Sequence, residues 1–250
     1  MGRKKERLSL MQTFQPNQII CGDAIEVLKT FPDMCIDVIL TDPPWGIGLE
    51  DYDNFLSWER YANWFEVVCL ELKRVLKPER PLLVETSKKY LNKVMYLLDR
   101  YFTFRHPLIY LYSYKRRYSH APCGSNKYGI VLWYGKGESK VVRKYFDVLN
   151  VEVGFEAKES FKSLITYMKE EEIHHTSPKG VAIYQRLIEM FSEKNDIILD
   201  PFVGSGTTAI ASKILKRRYI GIEINPQICK LAEKRIEETP TLKRLKDVLG

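Results

Sequence analysis

A carboxylate, two prolines and an aromatic ring stand together in the motif Asp42-Pro43-Pro44-Trp45. The prolines stiffen the backbone and prevent further sheet pairing. The Asp42 side chain and the Pro43 carbonyl can each accept a hydrogen bond from one NH2 group, which favours attack by its nitrogen, and Trp45 offers a face on which a planar base can stack. An ordinary Asp-Pro turn beside a core tryptophan is the alternative interpretation.

The motif follows the apolar run 36–40, whose β-branched residues predict a buried strand. In open α/β sheets, ligands bind outside the carboxyl ends of the strands. The sequence therefore predicts that residues 42–45 form a rigid turn at a ligand-binding edge.

A second pattern of strand, glycine-rich turn and helix spans residues 197–208, with Asp200 at the strand end and glycines at 204 and 206. It lacks the Lys-Ser/Thr pair of a phosphate loop and the third glycine of a dinucleotide fingerprint, which favours a cofactor without a pyrophosphate. Glu223 ends the next strand, where an acid can bind both hydroxyls of a ribose. The pattern predicts a nucleoside cofactor; an ordinary βαβ unit with a helix-capping acid is the alternative.

Positive charge is concentrated in one part of the chain. The protein has a net charge of +7, and residues 113–144 contain eight Lys or Arg but one acid, Glu138. Aromatic residues interleave with these cations, which favours nucleic-acid contact over a merely solvated face. The predicted DNA-binding residues are Lys115, Arg116, Arg117, Tyr118 and Lys127.

The bulk composition predicts one domain, because 250 residues that are 45% hydrophobic can bury a full core. The first residues lack the apolar core of a signal peptide and no apolar run approaches bilayer length, so we expect a cytoplasmic protein without membrane contact. The five cysteines are scattered, which predicts reduced thiols and no metal site.

The order of elements predicts the fold class. Strands alternate with helices nearly throughout, which indicates an α/β fold with a mostly parallel sheet and helices on both faces. The patterns further predict a helix that opens at Ser87 and one more strand within residues 141–153.

The segment Asp200-Pro201-Phe202-Val203-Gly204-Ser205-Gly206-Thr207, taken with Asp42-Pro43-Pro44-Trp45, resembles the S-adenosylmethionine-dependent DNA amino-methyltransferases. The catalytic motif comes first and the cofactor motif last, a circularly permuted order that is typical of the beta class, the N6-adenine and N4-cytosine methylases. The resemblance implies a Rossmann-like class I methyltransferase fold with a twisted sheet. It also implies a methyltransferase domain at 17–238 with a small target-recognition insertion at about 137–173. The resemblance does not extend to residues 1–16, whose composition predicts a basic arm, or to the tail at 239–250.

By this resemblance Asp42, Pro43, Pro44 and Trp45 are catalytic, although tyrosine is more common at position 45. The family's His-Pro-Thr-Gln-Lys-Pro motif corresponds to His175-Thr176-Ser177-Pro178-Lys179-Gly180, a departure from the usual pattern. The residues assigned to S-adenosyl-L-methionine are Asp23, Thr176, Ser177, Lys179, Asp200, Phe202, Gly204, Ser205, Gly206, Thr207, Thr208, Glu223 and Asn225.

The implied function is methyl transfer to the exocyclic amine of a base flipped from double-stranded DNA. Adenine N6 is the preferred target, because many N4-cytosine members carry serine in place of Asp42. The alternatives are an N4-cytosine DNA methylase, an RNA base amine methylase and an inactive DNA-binding subunit. A homodimer and a cognate restriction endonuclease remain open as partners.

Overall fold

The computed structural model describes residues 14–44, 57–86, 88–111, 128–143, 148–149 and 180–239. Within them, one sheet contains the strands β1 (Gln18–Cys21), β2 (Val38–Thr41), β3 (Pro81–Thr86), β4 (Thr103–Leu111), β5 (Tyr128–Gly135), β6 (Val148–Leu149), β7 (Ile197–Asp200) and β8 (Arg218–Glu223). The helices are α1 (Ala24–Lys29), α2 (Trp58–Val75), α3 (Leu91–Leu98), α4 (Val181–Phe191), α5 (Thr207–Ile214) and α6 (Pro226–Glu238).

The strand order across the sheet is β1-β8-β7-β2-β3-β5-β4-β6. The pairs from β1 to β3 are parallel, β5 is antiparallel to both of its neighbours, and β6 is parallel to β4. The carboxyl ends of β1, β8, β7, β2 and β3 therefore meet at one edge of the sheet. The prediction of a mostly parallel α/β fold is confirmed.

Helices cover both faces of the sheet, as the sequence predicts. On one face, α1, α2 and α3 bury apolar side chains such as Leu28, Leu72 and Leu97 against the strands. On the other face, α4 contributes Leu187 and Phe191 to a second cluster. Because both faces are covered, β2 and β7 are buried along their whole length and read as continuous apolar runs.

Local signals define the helix starts. Asp23 and Ser57 accept hydrogen bonds from the backbone N–H groups of Glu26 and Arg60, and so cap α1 and α2. Asn225 caps α6, which opens with a proline at its first position.

Two predicted elements are wrong in extent. The helix expected from Ser87 begins at Leu91, because residues 88–90 form a turn. In the region 141–153, residues 141–143 are irregular, and the strand among the described residues is the two-residue β6. Val142 and Arg143 instead donate their backbone N–H groups to the Met190 carbonyl, which holds this stretch on the end of α4.

None of the helices in the described part of the chain combines the length and the apolar character needed to cross a membrane.

Candidate active site

The order in which the chain adds strands to the sheet reverses between β7 and β2, which are parallel neighbours at the centre of the parallel strands. From β7 the chain continues through α5 to β8, towards one side of the sheet, whereas from β2 it continues through α2 to β3, towards the other. Such a switch point opens a crevice at the carboxyl edge in which ligands bind. Asp42 follows β2 directly and Asp200 ends β7, so both flank this crevice.

One acid stands at or beside the carboxyl end of each parallel strand. In sheet order they are Asp23 after β1, Glu223 on β8, Asp200 on β7, Asp42 after β2 and Glu85 on β3. We call these five residues the carboxylate row. A row of this kind suits a ligand that carries positive charge, ribose hydroxyls and amines.

Asp200 lies at the centre of the row and is buried. Its Oδ1 accepts hydrogen bonds from the Thr41 hydroxyl at 2.9 Å and the Phe202 N–H at 3.1 Å, and its Oδ2 accepts one from the Thr208 hydroxyl at 2.5 Å. Burial, and to a smaller extent the charge of Glu223, raises the pKa of Asp200 to about 6 against the opposing effect of the three donors. The carboxylate is thus held in a fixed orientation while part of its charge is uncompensated.

The glycine turn that follows Asp200 has a left-handed backbone. Gly204 and Gly206 have φ values of 51° and 87°, a region that side chains disfavour. A Cβ on Gly206 would lie 3.1 Å from the Cβ of Ala232, so α6 packs closely against the turn. Arg235 of α6 donates to both the carbonyl and the hydroxyl of Ser205. Burial lowers the pKa of Arg235 to about 10. Through its contacts with Ser205, the Arg235 side chain holds the turn on the side of α6.

The other cofactor candidates lie around this turn. Glu223 is half-buried, and its Oε1 accepts the Asn225 N–H at 2.8 Å. Asn225 and Asp23 use side-chain oxygens to cap α6 and α1. Thr207 is buried in the first turn of α5. Phe202 lies 5.5 Å from Trp64 between ring centroids, so an aromatic wall closes one side of the crevice.

These residues fit S-adenosylmethionine on physical grounds. Gly206 leaves space that a side chain would fill, Glu223 stands where an acid can bind a ribose, and Asp200 offers negative charge to a cationic ligand. Among the described residues, no group of three His, Cys, Asp or Glu is close enough to bind a metal ion.

Sequence analysis missed a buried hydrogen-bond network behind Asp42. The hydroxyls of Tyr110 on β4 and Tyr184 on α4 donate to the two oxygens of Glu85, at 2.5 and 3.0 Å. Burial raises the pKa of Tyr184 well above its ordinary value, and the charges of Glu85, Asp42 and Asp200 add to the rise, so this hydroxyl faces three members of the carboxylate row. A lone acid within the apolar run 81–86 is the signal that could have indicated a buried, paired group.

Several predicted site residues lie outside the described residues: Trp45, Lys115, Arg116, Arg117, Tyr118, Lys127, Thr176, Ser177 and Lys179. The elements that flank them are described. Leu111, at the end of β4, and Tyr128, at the start of β5, pair at the carboxyl edge of the sheet. Gly180 precedes α4, which carries Tyr184 in its first turn.

Strand β5 divides the eight cations of residues 113–144 into four that precede it and four that follow it in the sequence. Strand β5 runs from the carboxyl edge to the opposite edge, about 25 Å at 3.4 Å per residue for its eight residues. Lys136 follows this strand and donates to the Leu76 carbonyl at 2.8 Å on the far edge. The cations beyond β5 therefore start from the edge opposite Asp42.

The sequence pattern of the DNA methylase family matches residues 36–234, which include Asp42-Pro43-Pro44-Trp45, the glycine turn and Glu223. The chain belongs to the N6/N4 DNA methylase family. S-adenosyl-L-methionine is the methyl donor of this family, and DNA is the substrate of the methylase. The assignment favours DNA over RNA among the alternatives given above.

Similar proteins agree with this assignment. The type II methyltransferase M.HpaI of Haemophilus parainfluenzae is 30% identical over 237 residues, which cover 88% of this chain and 74% of that protein. The DNA adenine methyltransferase YhdJ of Escherichia coli (strain K12) is 26% identical over 88% of this chain and 82% of that protein. The solved structure of the cytosine-N4-specific PvuII DNA methyltransferase has the same fold, with a TM-score of 0.70, 19% identity, and coverage of 94% of this chain and 93% of that one.

Proposed function

We propose that the methylase transfers the methyl group to the N6 amine of an adenine flipped out of double-stranded DNA. The observation that carries the proposal is the position of Asp42 at the switch point, one strand away from Asp200 and its glycine turn. A base must leave the stack to reach this edge. S-adenosylmethionine supplies a methyl group on a positively charged sulfonium.

The residues of the crevice have separate tasks in this proposal. Asp42 and the Pro43 carbonyl accept hydrogen bonds from the target NH2 group, orient its nitrogen and stabilise the positive charge that develops on it. Pro43 is buried and Pro44 is half-buried, so the backbone of the turn is packed against the rest of the protein. Trp45 stacks on the base. Glu223 binds the ribose of the cofactor, while Asp200, Phe202 and the turn 204–208 bind its methionine end, with Thr176, Ser177 and Lys179 beside them.

The choice of adenine rests on the residue at position 42. Adenine and cytosine both present an NH2 group to the same two acceptors, so the reaction itself does not separate them. Aspartate at this position is typical of the adenine enzymes, and the similarity to YhdJ, a protein named as a DNA adenine methyltransferase, supports the same target.

Nucleoside analysis tests the target. The methylase is incubated with DNA of mixed sequence and S-adenosylmethionine labelled in the methyl group, and the DNA is digested to nucleosides. We expect the label in N6-methyldeoxyadenosine. Label in N4-methyldeoxycytidine would overturn the choice of base, and label in neither would overturn the proposed reaction. The same assay on RNA serves as the control for the nucleic acid.

Two further features belong to the proposal. We propose that a cognate restriction endonuclease cleaves the unmethylated site, which the similarity to the type II methyltransferase M.HpaI supports. We also propose a cytoplasmic location, which a DNA substrate supports. We also propose a homodimer, which sedimentation with and without DNA tests directly.

A further inference from the structure

We propose that the lysines following β3, Lys88, Lys89 and Lys93, form a surface that binds the phosphate backbone of the DNA beside the flipped base. We call these three residues the β3 lysine surface. The inference uses DNA as the substrate of the family and does not depend on which base is methylated.

The first support is position. The carboxyl end of β3 lies next to that of β2 in register, since Thr41 pairs with Val84, and Asp42 comes directly after Thr41. Neighbouring strands are about 4.8 Å apart, so the chain that follows β3 begins beside the catalytic turn. Any duplex that delivers a base to Asp42 passes over this part of the edge.

The second support is charge. Residues 86–98 contain three lysines and no acid, and the acid that precedes them, Glu85, is buried under two tyrosine hydroxyls. The carboxylate row repels phosphate, so a duplex lying across the edge needs cations immediately beside the row. The β3 lysine surface supplies them at the end of the row.

The third support is the way the lysines are held. The Lys88 amine lies 3.3 Å from the centroid of the Tyr128 ring, and the Lys93 amine lies 4.7 Å from that of the Trp58 ring. Tyr128 opens β5 and Trp58 opens α2, and both elements start at the catalytic edge. Lysine amines over aromatic rings keep their charge while the rings limit their motion, and such surfaces suit nucleic acids.

The opposite edge of the sheet shows a different use of basic residues. There Lys77 and Arg80 both form ion pairs with the buried Asp37, at 2.7 and 2.9 Å, and Arg80 also reaches Asp196. These cations stabilise the fold, whereas Lys89 and Lys93 are exposed beside the crevice. On α3 the exposed Tyr96 lies one turn beyond Lys93 and extends the same face.

A matched pair of variants tests the proposal. Lys89→Gln/Lys93→Gln removes two exposed charges at the catalytic edge, and Lys73→Gln/Lys194→Gln removes two exposed charges at the opposite edge. Because phosphate contacts are independent of sequence, any duplex serves as the probe. The dissociation constant of each protein is measured by fluorescence anisotropy across a range of salt concentrations.

We expect the first variant to bind duplex on the order of tenfold more weakly, with a salt slope reduced by about 0.9 for each lysine that contacts phosphate. The KM for DNA should rise with kcat unchanged at saturating DNA. The control variant should match the wild type. Equal salt slopes in the two variants would overturn the proposal.

Lys88→Gln is measured as a separate variant in the same binding assay, because Lys88 lies at the catalytic edge and also contacts the Tyr128 ring. Thermal denaturation of every variant separates loss of contact from loss of fold, and calorimetry with S-adenosylmethionine checks the cofactor site. A loss of cofactor affinity that accounts for the whole loss of DNA binding would also overturn the proposal.

Discussion

Thr41 and Asp200 share a buried hydrogen bond of 2.9 Å between the hydroxyl of the first and Oδ1 of the second, although 159 residues separate them in the sequence. Thr41 immediately precedes Asp42, and Asp200 immediately precedes the glycine turn. The bond therefore sets the spacing between the residues that we propose bind the target amine and those that we propose bind the cofactor. Methyl transfer in line depends on that spacing.

Replacement of Asp42 by alanine should separate catalysis from cofactor binding. The side chain accepts a hydrogen bond from the target amine in the proposed reaction, so its loss should lower kcat by roughly 10²–10³-fold. Calorimetry should find the affinity for S-adenosylmethionine little changed. Single-turnover methyl transfer is the decisive measurement, with Glu237→Ala on the exposed face of α6 as control. Near-normal transfer by Asp42→Ala would contradict the assigned role.

Alanine at Gly206 should weaken the cofactor site. The residue has a φ of 87°, and a Cβ would come within 3.1 Å of Ala232, so we expect a loss of about 1–2 kcal/mol in the free energy of unfolding together with weaker cofactor binding. Gly137 has a similar φ of 89° in open space, so Gly137→Ala isolates the backbone strain. Urea unfolding and calorimetry on both variants give the comparison. Equal cofactor affinities would show that the turn at 206 does not shape the pocket.

The pH dependence of the free energy of unfolding should reflect the raised pKa of Asp200. Its folded-state pKa is about 6, and that of an unfolded aspartate is about 3.9. Between these values the folded protein binds more protons at Asp200, so the contribution of Asp200 to stability is fully present below about pH 4 and is lost as the pH rises through about 6. The difference in unfolding free energy between wild type and Asp200→Asn should therefore shrink by up to about 3 kcal/mol across this window. Urea unfolding at pH 4.5 to 7 measures it, and a constant difference would contradict a raised pKa.

The tyrosine pair on Glu85 should stabilise the protein cooperatively. Tyr110→Phe and Tyr184→Phe each remove one buried hydrogen bond to the carboxylate, and each should cost about 1–3 kcal/mol. The double variant should differ from the sum of the single variants, because both hydroxyls act on one carboxylate. Tyr96→Phe, at a side chain that is 67% exposed, should have no effect. Strict additivity in the double-mutant cycle would show that the two bonds are independent.

The sequence predicts those parts of the fold and site that depend on neighbouring residues. The short apolar runs predict β2, β3 and β7, and the caps Asp23 and Ser57 predict the starts of α1 and α2. The glycine turn is predictable because its backbone demands glycine at 206.

The rest depends on contacts between distant parts of the chain. Tyr184 reaches Glu85 across 99 residues, and the contact exists because α4 packs on the sheet face that includes Leu83 of β3. Strand β5 likewise carries Lys136 to the edge of the sheet opposite Tyr128, a separation that their proximity in the sequence conceals.

The carboxylate row also distinguishes the methyl donor from what remains after transfer. The sulfonium of S-adenosylmethionine is positively charged, whereas the thioether that remains is neutral, so in the proposed cofactor site Asp200 and Glu223 would attract the first more strongly than the second. Transfer thus weakens the electrostatic attraction that holds the cofactor. The charges that favour loading of the donor also favour exchange of the spent molecule, and replacing Asp200 should narrow the difference in affinity between the two.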